Sequence, residues 1–408
     1  MALLVQKFGG TSVGSAERIR EVAEQVRHTH ARGDQVVLVV SAMGKETDEL
    51  LRLADVVSRT QPGREMDMLV TAGERKAIAL VCMALHDVDV PADSFTGSQA
   101  GFRTDANHRN AKIVEITPGR VRDTLDAGRV PVVAGSQGVS GDNNVTFLGR
   151  GGSDTTAVAL AQVLDADACE LYTDVSGVFT TDPRVCARAR KIPRISFAEL
   201  MEMTAVGCPK PAMRSVEVAH RYGVPLHVRS AFTWEPGTWV TEEVPMEDGM
   251  EQAVVAAVVP DTSQAKVTIA GVPDQPGVAA RLFNELAGQH VNVDMIVQNV
   301  SDHGVTDISF TMPREDLSVG EEVTEKYRQS VGAASMTTDA GIGRVSLVGA
   351  GMASNPGVAA QMFQVLADHD INIEMISTSA IRISCVVADS EVDRAVVALH
   401  DAFGLEHG

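Results

Sequence analysis

A chain of 408 residues is longer than one ordinary hydrophobic core accommodates, so a catalytic body with accessory domains is expected. Its net charge of -19, from 35 basic and 54 acidic residues, repels phosphate polymers and anionic lipid, which excludes nucleic acid and membrane surfaces and leaves small molecules and protein as partners. The five cysteines, Cys82, Cys169, Cys186, Cys208 and Cys385, never fall in a CxxC or CxxH spacing, so reduced, packed thiols are expected and no metal site is assigned.

The N-terminus runs from Met1 into the strand-like Leu3–Phe8 with no leader of charged then apolar residues. No apolar run reaches membrane-spanning length, and a cytoplasmic protein is expected. Up to residue 240, β-rich runs alternate with helical periods: Val36–Val40 then Thr47–Arg59, Val130–Ala134 then Asp154–Leu164, Ala168–Tyr172 then Ser196–Met203. Such alternation predicts an α/β fold, a mainly parallel sheet with helices on both faces. Residues 234–250, with Pro236, Gly237, Pro245 and Gly249 among acidic side chains, read as linker.

Beyond the linker the chain repeats itself. Val267–Gly271, Pro276–Ala280 and Asn292–Ile296 return as Val345–Gly349, Pro356–Ala360 and Asn372–Ile376, in one register from Pro276 and Pro356 onward. The match of apolar, Gly, Pro and Asn positions predicts two small βαβ-containing modules. The expected domains are 1–245 for the catalytic body, 246–262 for the linker, and 263–340 and 341–408 for the two modules.

Three turns carry candidate chemistry. In Lys7–Ser15 a strand ends in Gly9 and Gly10 before a helix, so backbone amides can approach phosphate while Lys7 adds a point charge. This is not the Walker loop, whose lysine opens the following helix. In Leu148–Thr156 a second glycine turn, Gly149-Arg150-Gly151-Gly152, precedes Ser153 and Asp154, either of which could simply cap a helix. The third, Tyr172–Arg184, is a strand followed by hydroxyls, carboxylates and an arginine, and taken alone could be an ordinary Asx turn. Two glycine turns in one sheet converge at its carboxyl edge, where open α/β sheets bind ligands.

In order and spacing, KFGGTSVGS at residues 7–15, SAMGKETDELL at 41–51, TAGER at 71–75, LGRGGSDTTAVAL at 148–160 and TDVSGVFTTDPR at 173–184 resemble the aspartate kinases of the amino-acid kinase superfamily. The repeat, with Gln298–Ser301, resembles tandem ferredoxin-like βαββαβ ACT domains. The resemblance implies transfer of the γ-phosphoryl of MgATP to the side-chain carboxylate of L-aspartate, the first step toward lysine, threonine and methionine, under feedback control.

That nucleophile is already an anion, so no general base is required and catalysis rests on positioning and charge neutralisation. Lys7 and the amides of Gly9 and Gly10 suit the transferring phosphoryl. The resemblance makes Asp154 an orienting carboxylate. It places Phe8, Ser41, Thr173, Asp174, Phe179 and Arg184 on the nucleotide side. The aspartate pocket takes Arg150 as a guanidinium fork, Glu74 as the acid for the ammonium and Thr47 as a hydroxyl donor, with Gly151, Gly152 and Ser153 beside them. Arg75, Lys76 and His108 are read as surface or structural residues. Relatives carry Gly-Ala-Lys or Gly-Ser-Lys before a helix, whereas here Lys210 stands one place later, between Pro209 and Pro211, which leaves its reach to ATP open.

The first module is expected to bind threonine or lysine at Asp274, Gln275, Pro276, Gly277, Val278 and Ala279, with Asn292, Asp294 and Gln298 from the neighbouring strand. The second repeat has Ser354 in place of Asp274, and Ala380 stands where relatives carry glutamate, so threonine should act better than lysine. The modules are expected to associate, either as a homo-oligomer or with a shorter chain begun at Met246 or Met250. The alternative function is a catalytically weak or idle amino-acid sensor on the same fold.

Overall fold

The computed structural model describes residues 1–242, 254–299 and 304–407. Met246, Met250 and Ser301 lie outside the described residues. Contacts divide the chain into two units, Met1–Val178 with Lys191–Ala205 and Pro209–Pro245, and Phe179–Arg190 with Val206–Cys208 and Met246–Gly408. Among the described residues no helix is long and apolar enough to cross a membrane.

The first unit runs β1 (Leu3–Phe8), α1 (Ala16–Ala31), β2 (Gln35–Val40), α2 (Glu46–Val57), α3 (Gly63–Val70), α4 (Ala72–Asp87), β3 (Ala92–Phe95), β4 (Phe102–Thr104), β5 (Ile113–Ile116) and α5 (Gly119–Asp126). It continues with β6 (Val130–Ala134), β7 (Gln137–Ser140), β8 (Val145–Phe147), α6 (Gly152–Leu164), β9 (Ala168–Thr173), β10 (Arg194–Ser196), α7 (Phe197–Ala205), α8 (Met213–Tyr222), β11 (Leu226–Ser230) and β12 (Thr238–Thr241). One sheet has the order β10-β12-β11-β9-β1-β2-β6-β3, parallel except where β11 meets β12. A smaller sheet, β5-β4-β7-β8, stands apart from it. The expected parallel α/β architecture is met.

The central strands are buried on both faces, which is why Val36–Val40 is apolar without alternation. Where polar residues do interrupt, the period of two decides their face. Gln6 turns to α1, donating to Thr29 Oγ1 at 3.3 Å, and Lys7 turns the opposite way, to Asp154 on α6. Val22, Val26, Leu38, Val81, Leu85 and Val132 form the core on the α1 and α4 side, each contributing ~1.5–3 kcal/mol on burial. Within it the Glu170 carboxylate accepts from Gln6 Nε2 at 2.8 Å, Tyr172 Oη at 3.0 Å and Arg229 at 3.0 Å, tying β1, β9 and β11 together. Burial opposes its ionisation, but the His227 hydrogen bond, the Arg229 charge and Gln6 outweigh that and lower its pKa to about 2.

The second unit contains β13 (Ala257–Asp261), β14 (Gln264–Pro273), α9 (Val278–Gly288), β15 (Ile296–Gln298), β16 (Val305–Pro313), α10 (Leu317–Val331) and β17 (Ser335–Asp339). After these come β18 (Ile342–Val348), α11 (Gly357–Asp368), β19 (Met375–Thr378), β20 (Arg382–Ala388) and α12 (Val392–Ala402). The first repeat makes the sheet β15-β16-β14-β17, a complete βαββαβ module. The second supplies only βαββα, and its sheet, β13-β18-β20-β19, takes its fourth strand from residues that precede the first repeat.

Two strands therefore fall in spans read as linker, β12 inside 234–250 and β13 inside 246–262. In the first case Pro236 and Gly237 mark a tight entry to a strand rather than the end of the domain. A Cβ on Gly237 would come within 1.8 Å of the Val228 carbonyl oxygen. In the second, the apolar run at 257–259 covers an edge that β18 would otherwise expose.

The two modules meet through reciprocal ion pairs. Lys266, third in β14, pairs with Glu374 of the second repeat, while Arg344, third in β18, pairs with Asp294 of the first. Asp294 and Glu374 are equivalent repeat positions, and Arg314 pairs with Asp389 at 3.4 Å. Met295, Ile342, Met375 and Val386 fill the space between. The reciprocity is that of an internal pseudo-twofold. Segment Phe179–Arg190 also belongs to this unit: Thr180 O accepts from Val258 N–H at 2.7 Å, and Thr180 Oγ1 lies 2.9 Å from His400 Nε2, both side chains buried.

Candidate active site

The sequence placed both glycine turns in one sheet; in the structure the first follows β1 of the parallel sheet and the second follows β8 of the smaller one, and α6 is what brings Asp154 to Lys7. Lys7, next to last in β1, places Nζ 2.5 Å from Asp154 Oδ1, and Asp154 Oδ2 accepts the Ala212 N–H at 3.1 Å. Both side chains are about one-tenth exposed, so the pair is screened from water but open on one side. Neither Ser153 nor Asp154 caps α6, as the sequence allowed. The capping position is Gly151, Asp154 is committed to Lys7, and Ser153 Oγ lies 3.0 Å from Ser136 Oγ. No side chain caps α6, and Gly152 N–H already donates to Gly149 O at 3.1 Å, which leaves the Ser153 and Asp154 amides as the ones a ligand could meet.

Gly10 sits against the loop after β2: its carbonyl accepts from Gly44 N–H at 2.9 Å, and a Cβ would come within 2.9 Å of the Ala42 and Gly44 carbonyl oxygens. Only glycine allows that approach, and it aligns the turn after Gly9 with Ser41, whose N–H donates to Phe8 O at 3.1 Å. The Phe8 ring is committed to the core, stacked 4.5 Å from Tyr172, so only its backbone borders the turn. Ser12, which motif reading did not single out, is buried with an Oγ that has no hydrogen-bond partner among the described residues.

Glu74 lies in the first turn of α4 and is 3% exposed. Burial raises its pKa to about 7; hydrogen bonds from its own amide and that of Ala42 pull the other way, and Glu46 adds to the rise. Glu74 Oε2 and Glu46 Oε2 both lack partners among the described residues, though Lys76 holds the other oxygen of Glu46 at 2.6 Å. A buried carboxylate oxygen without a donor can accept a hydrogen bond from an ammonium group. Glu46 escaped the sequence reading because an acid in the first turn of a helix is ordinary there. Thr47 follows it on α2, half-buried.

Arg150 is exposed and makes no ion pair among the described residues. It sits between Gly149 at φ 85° and Gly151 at φ 72°, both in the left-handed region that glycine adopts without strain. Arg214 anchors that turn, donating to Leu148 O and Ala111 O at 2.9 Å each. At the carboxyl end of β9, Thr173 is buried and Asp174, just beyond it, meets Lys210 Nζ at 2.9 Å, so the displaced lysine still reaches this edge. Phe179 and Arg184 belong to the second unit, where Arg184 pairs with Asp182 at 2.6 Å.

In the first repeat, Asp274, Gln275, Pro276 and Gly277 are exposed before α9, whose cap Gly277 has φ 90° and no side-chain cap. Val278 is buried and Ala279 half-buried. Of the three residues expected on the neighbouring strand only Gln298 lies on β15; Asn292 and Asp294 precede it. Asp294 is spent on Arg344, a contact invisible to a reading of one repeat at a time.

A family model described as the amino acid kinase family matches residues 2–230, over half the chain, and models described as the ACT domain match 266–332 and 345–403. The aspartokinase of Mycolicibacterium smegmatis is 53% identical over 411 residues, spanning 99% of this chain and 97% of its own. The chain belongs to the aspartokinase family. An aspartate kinase of Pseudomonas fluorescens is 48% identical over 408 residues, spanning 100% of this chain and 98% of its own. The solved structure of E. coli aspartokinase III in complex with aspartate and ADP superposes with a TM-score of 0.81 at 25% identity, spanning 98% of this chain and 99% of that one. Membership makes the chain an ATP-dependent kinase with ACT regulatory domains.

Proposed function

We propose that the chain transfers the γ-phosphoryl of ATP to the side-chain carboxylate of L-aspartate, giving 4-phospho-L-aspartate and ADP, with the groups above dividing the work. The carrying observation is the ion pair of Lys7 and Asp154 beside the Gly9–Gly10 turn. Lys7, the turn amides and the α6 amino end lower the repulsion between the two anions and stabilise charge on the moving phosphoryl. Asp154 holds the Lys7 ammonium in place through one oxygen and the Ala212 amide through the other. Glu74 and Glu46 take the substrate ammonium, Arg150 the α-carboxylate. Thr173, Asp174 and Lys210 border the nucleotide.

Magnesium would arrive on the nucleotide. Among the described residues no three His, Cys, Asp or Glu groups converge, which suits a small hard cation that keeps its waters and phosphate ligands rather than entering a protein cage. When bound it offsets charge on the phosphate oxygens. The five free thiols accord with a cytoplasmic location. The idle-sensor alternative is not favoured, because the kinase residues and the full-length relatives occur together. Trapping the product with hydroxylamine tests the activity: aspartyl hydroxamate should form only with ATP and aspartate together, and ADP release without hydroxamate would refute it.

For regulation, the effector site is the turn Asp274–Ala279 with Asn292 and Gln298, where the amino end of α9 would meet a carboxylate and the exposed Asp274 an ammonium. Threonine is the favoured effector, since Ala380 offers nothing to a side-chain ammonium. Asp274→Ala is expected to move the threonine inhibition curve at least about tenfold to higher concentration, as loss of one charge-assisted hydrogen bond would. An unmoved curve, or full inhibition by lysine alone, would remove the site. Association runs through the outer strands β15 and β19, whose Ile296 and Ile376 are 51% and 45% exposed; light scattering that finds monomers at micromolar concentration would contradict it.

A further inference from the structure

Asp67, on α3, is wholly buried yet carries no part of the chemistry above. Its Oδ1 accepts the Arg109 N–H at 2.8 Å, and its Oδ2 accepts the Phe147 N–H at 3.1 Å and His108 Nδ1 at 2.7 Å. A carboxylate only accepts, so the His108 ring is the donor. Each donor lies next to the Arg150 turn. Phe147 ends β8, immediately before Leu148-Gly149-Arg150, and Ala111 N–H donates to Phe147 O at 2.9 Å. A Cβ on Gly149 would lie 3.2 Å from Arg109 O, so the 108–111 loop and the turn are in backbone contact. The other end of α3 runs into the helix that carries Glu74. Thr71 Oγ1 donates to Asp67 O at 2.7 Å, and Gln137 Nε2 donates to Thr71 O at 3.2 Å. The approach of α3 to the loop is close enough that a Cβ on Gly63 would meet His108 Cβ at 2.7 Å.

We propose that Asp67, with His108, is a positioning residue that sets the spacing between Glu74 and Arg150, and thereby the fit to an amino acid with one carboxylate beside its ammonium and another one methylene away. The inference rests on the substrate roles given to Glu74 and Arg150. The helix that leads into the Glu74 segment carries this buried carboxylate, and the carboxylate accepts two backbone amides beside the Arg150 turn that cannot rotate away, so its loss frees the two to drift apart. Misplacement of a binding group by fractions of an ångström shows first in substrate affinity.

The test is steady-state kinetics of Asp67→Asn, Asp67→Ala and His108→Ala beside Arg150→Ala, with melting temperatures recorded for each. The expected result is a KM for aspartate raised about tenfold in Asp67→Asn, more in Asp67→Ala and less in His108→Ala, with KM for ATP within about twofold of the parent. Preference for aspartate over glutamate, as the ratio of kcat/KM values, should fall in the same order. A merely structural Asp67 would lower the melting temperature and the active fraction, and so kcat, leaving both KM values and the preference unchanged; that result overturns the proposal. His108→Ala removes a partly exposed arm and keeps the test open where Asp67→Ala does not fold. If Arg150→Ala leaves the aspartate KM unchanged, the substrate role of Arg150 falls first; if it raises KM while the Asp67 series does not, only the positioning role falls.

Discussion

Lys7→Ala is expected to lower kcat by on the order of 10³ or more, because removing one preorganised donor to developing charge typically costs ~10²–10³ and here also leaves the Asp154 carboxylate facing the phosphates. Repulsion between that carboxylate and the nucleotide then adds to the lost attraction. The same unpaired carboxylate is only about one-tenth exposed, so the single variant should also lose stability. The double variant Lys7→Ala with Asp154→Asn separates the effects, since neutrality restores the fold without restoring the cation. Single-turnover rates by rapid quench, with melting curves, decide the matter. Recovery of turnover in the double variant would mean that Lys7 acts through the fold and not on the phosphoryl group.

The second expectation concerns pH. With its pKa raised to about 7 by burial, Glu74 in the free enzyme is protonated below that pH and ionised above it. The substrate ammonium needs the ionised form, so kcat/KM for aspartate should fall about tenfold per pH unit below 7. Bound substrate stabilises the carboxylate and draws its pKa down, so kcat should hold to lower pH than kcat/KM. Glu74→Gln should raise KM for aspartate on the order of 10–100-fold, the range of ~1.5–3 kcal/mol for a hydrogen bond between charged partners. It should also erase the inflection near pH 7. Titration of the nucleotide itself is common to both enzymes and cancels in their ratio. An inflection that persists in Glu74→Gln, or equal rises in KM for aspartate and ATP, would move Glu74 out of the substrate pocket.

Both expectations begin in residues that a linear reading singled out, but Glu74 needed more than its position in TAGER. Burial is a property of what packs around a side chain. Nothing in the sequence says that the start of α4 lies against the Ala42–Glu46 loop, where a Cβ on Gly73 would come 2.8 Å from that of Ala42. The closeness of the two elements converts an ordinary first-turn acid into one that titrates near neutrality. Asp67 shows the same limit more sharply. Its partners are 41, 42 and 80 residues away, and an Asp among Met66, Met68 and Leu69 carries no local signal of three convergent donors.

What the sequence determined was whatever rests on short-range rules. Apolar runs separated by helical periods specify a parallel sheet with helices on both faces, paired glycines at strand ends specify tight turns, and a repeat in register specifies two like modules. The first two are written within some twenty residues of chain, and the third in the match of two such stretches 80 residues apart. What only the tertiary structure decided depends on contacts between distant segments. The fourth strand of the second module comes from Ala257–Asp261, ahead of the first repeat, because an exposed β18 edge and an apolar run find each other regardless of order. Asp294, expected in the effector set, pairs with Arg344 of the other repeat. Phe179–Arg190 sits with the modules because Thr180 hydrogen-bonds β13 and His400. Hydrogen bonds and ion pairs form by proximity in space, and sequence separation enters only through the modest entropy of closing the loop.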